Sequence, residues 1–571
     1  MGVTSLFTQV GIFPGDNIQV THAAPKQPRS ECAITVDPAR PYRLLGVSKH
    51  FTDPDKYIFS LGAVYSDDGG VTWADLTAFP KQPNHDIYTD PSGAFDTKGH
   101  MWVMGDPGFF PALHPGESAT LGCSDAGGDP DAGDINTTQM LCFHSENNGA
   151  TWSSPVPVVP LRCTGDDKGW LMCDNSTART HRGPGIGGKL GKPLSAWHGR
   201  FYAIWGAYTG LRFARSDDGT TWTGAAGKNA GDDIYSYCDA PDISIGKNGW
   251  LHVSWHVPNT NTVEYMRSKD GGDTFEGPFT IATGIGDIDT DIPTNIDGWR
   301  VFDGATFGVF TIVSACCFGD KGVAVAWSDA RSGNARIYYR VSYDNGDTWE
   351  GDPSGTPMLP ALLDDSHQFH PQVAATGSGV VGCAMYSYSK TSRPGNKPGV
   401  DVLMACSFDQ GVSFDFATVT DQPWDPALHA PVSHGVGSAT FIGDYFGLDA
   451  SATQFHVLWT DTRTGTQDLF YCGIGTEKIQ RPGWGEIYGT VTPGVPVDGG
   501  GLIFVNGHPV PVPPWDPMIQ ILNALASIRS VSQMNIGNTA RARNALYDLV
   551  IEVAQHAKTM LDGAAKGEVE R

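Results

Sequence analysis

Asp167, Lys168 and Trp170, in the segment GDDKGWLMCD, put a carboxylate, an ammonium and an indole within four positions. Such a set can hold a polar ligand by charge and press it against an aromatic face. The trio does not recur along the chain, so it reads as substrate-binding rather than as part of a repeated scaffold. Hard oxygen ligands of the kind Ca²⁺ takes cluster twice, at Asp125, Asp129, Asp131 and Asp134 and at Asp287, Asp289 and Asp291. Neither cluster has the EF-hand spacing, and a solvated acidic loop is the other reading of each. No cofactor is required; a structural Ca²⁺ on the first cluster is the one metal expectation. His252, His256, His367, His370, His429 and His434 form spaced pairs without Cys partners or an H-E-x-x-H motif, so a transition-metal site would need the fold to converge them. Trp327-Ser328-Asp329-Ala330-Arg331 recurs as Trp459-Thr460-Asp461-Thr462-Arg463, and repetition assigns those arginines to Asp–Arg turn contacts of a scaffold.

The elements that must position these residues come from an internal repeat. The octet SDDGGVTW from Ser66 returns as SENNGATW from Ser145, SDDGTTW from Ser216, SKDGGDTF from Ser268, SYDNGDTW from Ser342 and SFDQGVSF from Ser407. An Asp or Asn that accepts backbone N–H bonds, a Gly that takes φ > 0 and a covering aromatic describe a tight turn between two strands. The spacing suits four-stranded units with loops, which repeated radially make a β-propeller. Seven apolar runs precede or follow these turns, beginning at Tyr42, His100, Arg200, Trp250, Gly322, Gly379 and Phe455, and are expected to be inner strands of blades. Seven runs against six octets leave the last unit without its turn. The fold expected is all-β: a seven-bladed propeller (six-bladed the alternative) whose last blade is closed by the N-terminal stretch Asn17–Val20.

The octets resemble the Asp-boxes of sialidases and of the wider Asp-box (BNR-repeat) β-propeller family, over residues 66–414. That resemblance implies a glycan-directed propeller, foremost an exo-sialidase-like glycoside hydrolase. Sialidases hold the substrate carboxylate with an Arg cluster and use an Asp acid/base and a Tyr nucleophile paired with a Glu. By position, the resemblance makes Asp53 and Asp55 the candidates for the acid, Tyr445 beside Asp444 the candidate nucleophile, and Arg29 a substrate-binding residue. Pro28-Arg29-Ser30-Glu31-Cys32 stands where the family has Arg-Ile-Pro, a departure that puts the Arg cluster in question. On the residues alone, Asp53 and Asp55 flank Pro54 and read equally as a solvated turn, and Tyr445 as a packed core aromatic. Two further functions stay open. A non-catalytic glycan-binding or adhesive propeller would use the 16 Trp and 18 Tyr for stacking, and a structural subunit of a virion, appendage or surface layer would use the C-terminal segment.

A net charge of −24 disfavours nucleic acid as a partner. No apolar run is long enough to span a membrane, and the first residues lack the basic and apolar regions of a leader. An extracellular or surface-associated setting is expected, with the cytoplasm left open. Of the 11 cysteines, Cys123 with Cys142 and Cys163 with Cys173 flank loops that disulfides could staple, while unpaired thiols are the alternative. Cys316-Cys317 reads as a packed strand pair. The propeller is assigned to residues 1–475, a β hairpin and Pro-rich linker to 476–514, and an amphipathic helical hairpin with a short tail to 515–571. The apolar stripes of 515–563 suggest self-association or docking to an assembly partner.

Overall fold

A computed structural model describes residues 7–480 apart from 23–26, 57, 82–84, 86, 110–135, 138, 161–165, 177–193, 208–209, 237, 360–365 and 433–438. Beyond them it describes only the short strands at 486–488, 502–505 and 508–511. Seven antiparallel sheets follow one another along the chain and make a seven-bladed β-propeller. The innermost strands of blades one to seven are Arg29–Val36, Ile87–Phe95, Asp167–Cys173, Asp239–Ile245, Val313–Phe318, His367–Ala375 and Gly447–Ala450. The second strands are Leu44–Asp53, Met101–Phe109, Phe201–Ala207, Leu251–Val257, Gly322–Asp329, Val381–Arg393 and Gln454–Asp461.

The apolar runs of the sequence are therefore the second strands, one place out from the axis. Neighbouring blades cover both of their faces, so they read as unbroken apolar runs instead of alternating. Every residue of Gly322–Asp329 and of Phe201–Ala207 is buried. Trp205, Trp255, Trp327 and Trp459 end such runs and fill the space between blades. The innermost strands are free to carry polar residues, because one edge of each faces the axis.

Each octet folds on itself. In the first, the Asp68 carboxylate accepts the Val71 and Thr72 amides at 3.0 and 2.9 Å, Gly70 N donates to Ser66 Oγ at 2.9 Å, and the Trp73 indole donates to Gly70 O. The fourth and fifth repeat the pattern with Asp270 on Thr274 and Asp344 on Thr348. The octets also join blades. The Tyr265 hydroxyl of blade four meets His252 Nδ1 at 2.6 Å and donates to Asn345 O in the octet of blade five at 3.1 Å. Gly346, at φ 84°, lies so close to that tyrosine that a Cβ would stand 2.3 Å from its hydroxyl.

Blade seven has no octet, and the N-terminus supplies its outer strand. Ile18 pairs with Tyr471 and Gln19 with Phe470, as the count of runs against octets requires. Val20 N donates to Leu469 O at 2.8 Å, and Thr21 Oγ1 reaches the Asp468 carboxylate at 3.1 Å. The seam to blade one then uses the device of blades four and five: His456 Nδ1 lies 2.7 Å from the Tyr471 hydroxyl, which donates to Gly69 O of the first octet. The Asp–Arg segments are scaffold too, since Arg331 Nε donates to Asp329 and Arg463 Nε to Asp461, both at 2.9 Å, with Trp327 and Trp459 donating to the same carboxylates.

Pro14–Thr476 form one compact unit, and Met1–Phe13 with Glu477–Arg571 the other. Within the second unit, Leu502–Val505 pairs with His508–Pro511 in a hairpin. The helical hairpin expected over 515–563 lies outside the described residues, as do Asp125, Asp129, Asp131, Asp134, Cys123, Cys163 and His434. Cys142 and Cys173 are free, buried thiols in the layer between blades two and three, and the partners expected for them, Cys123 and Cys163, lie outside the described residues. Cys316 and Cys317 are also free, paired across the strands with Ala324 and Val323. No helix among the described residues is long and apolar enough to cross a membrane.

Candidate functional site

Five of the seven innermost strands break register at the same place. Between Ser30 and Ala33, Thr89 and Ser92, Asp167 and Trp170, Asp239 and Asp242, and Phe369 and Gln372, two residues face one on the second strand. The first residue of each bulged pair is left-handed: Glu31, Asp90, Lys168, Ala240 and His370, at φ 46, 48, 51, 43 and 49°. The second is Cys32, Pro91, Gly169, Pro241 or Pro371. Left-handed backbone strains a non-glycine residue by about 1–3 kcal/mol, and bulges re-aim side chains. Strain repeated in five blades at one level of the axis marks a built feature, and four of its five residues are ionisable.

These side chains gather at one end of the axis. The Lys49 ammonium, from the second strand of blade one, lies 2.6 Å from the Glu31 carboxylate and over the rings of Phe59 and Phe441. The Lys168 ammonium lies 3.6 Å from Asp444 and 4.9 Å from the centre of the Phe310 ring, and Asp167, Asp239 and Asp289 act on it as well. The backbone before blade seven presses against blade one here: a Cβ on Gly443 would stand 2.6 Å from Glu31 N. Asp167 is exposed, and Asp239, Asp289, Asp444, Trp170 and Phe310 are half-buried, so they form the open rim of a cup. Glu31, Lys49, Asp90, Asp106 and His370 are buried behind it.

Crowding of acids inside a protein sets their protonation. Burial raises Glu31 to about 7, against the pull of Lys49 and with the push of Asp444. Burial, then Glu31 and Asp167, raise Asp90 well above the usual carboxylate range, and the proton it keeps goes into a hydrogen bond with Asp167. Asp289 is raised by burial, Asp239 and Asp287, and Asp444 by burial against Lys168. The Tyr445 hydroxyl, buried among Asp90, Glu31, Asp167 and Asp444, is raised well above its ordinary value and stays protonated. The cup thus gathers carboxyls whose proton affinity burial and mutual repulsion raise, the kind of tuning general acid–base chemistry uses.

The residues singled out from sequence divide. Asp167, Lys168 and Trp170 sit in the cup, and Trp170 packs on Tyr445 with ring centroids 5.5 Å apart. Asp53 and Asp55 lie at the turn between the second and third strands of blade one, and the carboxylates that act on Tyr445 are other ones. Arg29 lies across its own blade: its guanidinium meets Asp75 on the outer strand at 3.0 Å and packs over Gly62. Asp287 points inward, accepting from Asp289 N and the Thr311 hydroxyl, whereas Asp291 faces solvent. No group of three or more His, Cys, Asp or Glu among the described residues is arranged to hold a metal ion.

Solved structures similar in fold include sialidases. A protein of unknown function from Dyadobacter fermentans aligns with a TM-score of 0.43 at 11% identity, covering 82% of this chain and 99% of its own. The NanB sialidase of Streptococcus pneumoniae aligns at 0.38 and 14% identity, over 64% of this chain and 66% of its own. A leech intramolecular trans-sialidase aligns at 0.37 and 14% identity, over 68% of each chain. The likeness is one of fold. No family model and no curated protein matches the sequence.

Sequence reasoning missed Glu31, Lys49, Asp90, Asp106, Asp239 and His370 as a set. A signal existed. In the innermost strands a chemical residue one to three positions past the strand start is followed by Cys, Pro or Gly, as in SEC, TDP, DKG and FHP. Pro and Gly at one register in successive strands mark bulges.

Proposed function

We propose that the protein is a glycoside hydrolase acting at the axial cup. The observation that carries this reading is the Asp90–Asp167 pair. Burial holds Asp90 well above the usual carboxylate range with Asp167 as its hydrogen-bond partner, and Asp167 stands exposed on the rim. Asp289, half-buried and proton-holding, lies beyond Lys168 on the same rim. In this reading Asp289 protonates the leaving oxygen, and Asp167 acts as the base or nucleophile that opposes it. Trp170 and Phe310 offer aromatic faces for a sugar ring.

The exo-sialidase form of the proposal has less support. The cations that act on these carboxylates are the ammoniums of Lys49 and Lys168, each already set against an acid, and Arg29 is spent on Asp75. The guanidinium beside Asp289, that of Arg300, donates to the Asp289 and Ile292 carbonyls, so a tyrosine nucleophile, which needs a cluster of arginines around the substrate carboxylate, has less to support it. Tyr445 is then a hydroxyl donor that orients the carboxylates. A non-catalytic glycan-binding propeller is the second reading, and the half-buried Trp170 and Phe310 favour it. Hydrolysis of a panel of neutral, amino and sialic glycosides, with Asp167→Asn and Asp289→Asn as variants, separates them. Turnover lost in both variants supports the hydrolase; binding without turnover on every glycoside leaves the lectin.

A further inference from the structure

The cup holds more carboxyl groups than cations. Lys49 is set against Glu31, and the one ammonium of Lys168 lies among Asp444, Asp167, Asp239 and Asp289. That ammonium rests against the face of Phe310, whose ring is edge-packed by Trp299 at 5.5 Å. Four carboxylates and an aromatic face around a primary ammonium are how proteins recognise such a group in a ligand. Here the protein's own lysine fills one place and leaves the surplus at the rim, on the exposed Asp167 and half-buried Asp239.

A second observation points to a ligand at the same place. His370 is wholly buried on the bulge register that carries Glu31, Asp90 and Lys168, and both of its ring nitrogens lack hydrogen-bond partners among the described residues. Both carboxyl oxygens of the buried Asp106, next to Asp90 and Asp167, lack them too. Buried polar atoms are rarely left unmatched, and two such side chains behind one cup indicate a site completed by something polar.

We propose that the cup selects a glycan carrying a free ammonium, an oligosaccharide of de-N-acetylated hexosamine, with Asp167 and Asp239 as counter-charges and Trp170 and Phe310 as the stacking wall. This rests on the reading of the cup as a glycan site. An acetylated amine would bring no charge to the surplus carboxylates, and a sialic acid would bring a repelled one. An aliphatic polyamine would bring charge without a ring to stack.

The test is calorimetric binding of glucosamine tetrasaccharide, N-acetylglucosamine tetrasaccharide and spermine to the full chain at low and high salt. The free-amine sugar is expected to bind at least about tenfold tighter than either alternative, a gap of roughly 1.4 kcal/mol. That preference should shrink with salt and vanish in Asp167→Asn/Asp239→Asn. Where that variant melts early, Lys168→Met supplies the second test, since removing the resident ammonium should tighten amine-sugar binding several-fold. Equal affinity for the acetylated sugar or for spermine, or a preference that survives in the Asp variant, overturns the proposal. No binding to any sugar overturns the glycan reading with it, whereas turnover of neutral glycosides without an amine preference overturns this inference alone.

Discussion

Glu31 and Lys49 meet at 2.6 Å on neighbouring strands of blade one, with side chains only 2 and 6% exposed. The pair exists because Glu31 sits in the bulge after Ser30, whose cross-strand partner is Lys49. Removing one member of a buried pair strands the other, at about 3–5 kcal/mol. Lys49→Met is therefore expected to lower stability by that order. Glu31→Gln should cost less, because Glu31, raised to about 7, is already partly protonated at neutral pH. Urea melts of both variants check the ordering, and a milder loss for Lys49→Met would contradict it.

Stability should decline as pH rises across the neutral range. Glu31 is raised from 4.5 to about 7 and Asp242 and Asp449 from 3.8 to about 6, all chiefly by burial. Each holds a proton in the folded state that the unfolded chain releases, so its contribution is complete below its ordinary value and is lost as pH climbs through 6–7. A melting temperature that rises from pH 5 to 8 would refute this, and Glu31→Gln should flatten the decline.

The acid limb has the opposite origin. Asp409 is lowered from 3.8 to about 2, first by its bond from the Ser413 hydroxyl, and in Asp270 and Asp344 burial pushes upward but the octet hydrogen bonds outweigh it and lower both. Their contribution is present above pH 3.8 and lost as pH falls through about 2. Asp270→Ala, which removes the acceptor for Thr274 and Ser268, is expected to cost about 0.5–2 kcal/mol, as loss of a capping carboxylate does. Because Asp270 is only half-buried, denaturant melts at several salt concentrations should show that loss shrinking as ionic strength rises.

Ring closure depends on the N-terminal segment, since Phe7–Pro14 and Ile18–Gln19 both pair with Asp468–Gln480. Deleting residues 1–22 removes Ile18, Gln19 and Thr21 from the strand Asp468–Gln480 and reopens two sheet edges. A fall of many degrees in melting temperature is expected, and a tendency to aggregate. An unchanged melting transition would mean that the ring holds without its N-terminal strand.

At the axis, Asp167→Asn and Asp289→Asn are each expected to reduce kcat/KM by about 10²–10⁴-fold on any glycoside the protein hydrolyses. Tyr445→Phe should reduce it by about tenfold or less, since the proposal gives its hydroxyl an orienting role. Complete loss of turnover in Tyr445→Phe, with the melting temperature retained, would restore that residue as the nucleophile.

The octets, the second-strand runs and the N-terminal closure were legible in the sequence, because each is a local device. A turn needs its Asp, Gly and Trp at fixed offsets whatever surrounds it, and a doubly covered strand must be apolar along its whole length. Asp167, Lys168 and Trp170 were legible for the converse reason: they fit no repeat. Placement around the axis belonged to the tertiary structure. Glu31, Asp90, Lys168 and His370 lie far apart along the chain and become neighbours only because five innermost strands bulge at one level of a closed ring. Arg29 shows the same dependence in reverse. Its position suited a substrate ligand, but the side chain crosses its blade to Asp75, a direction that the pleat and packing of the strand decide.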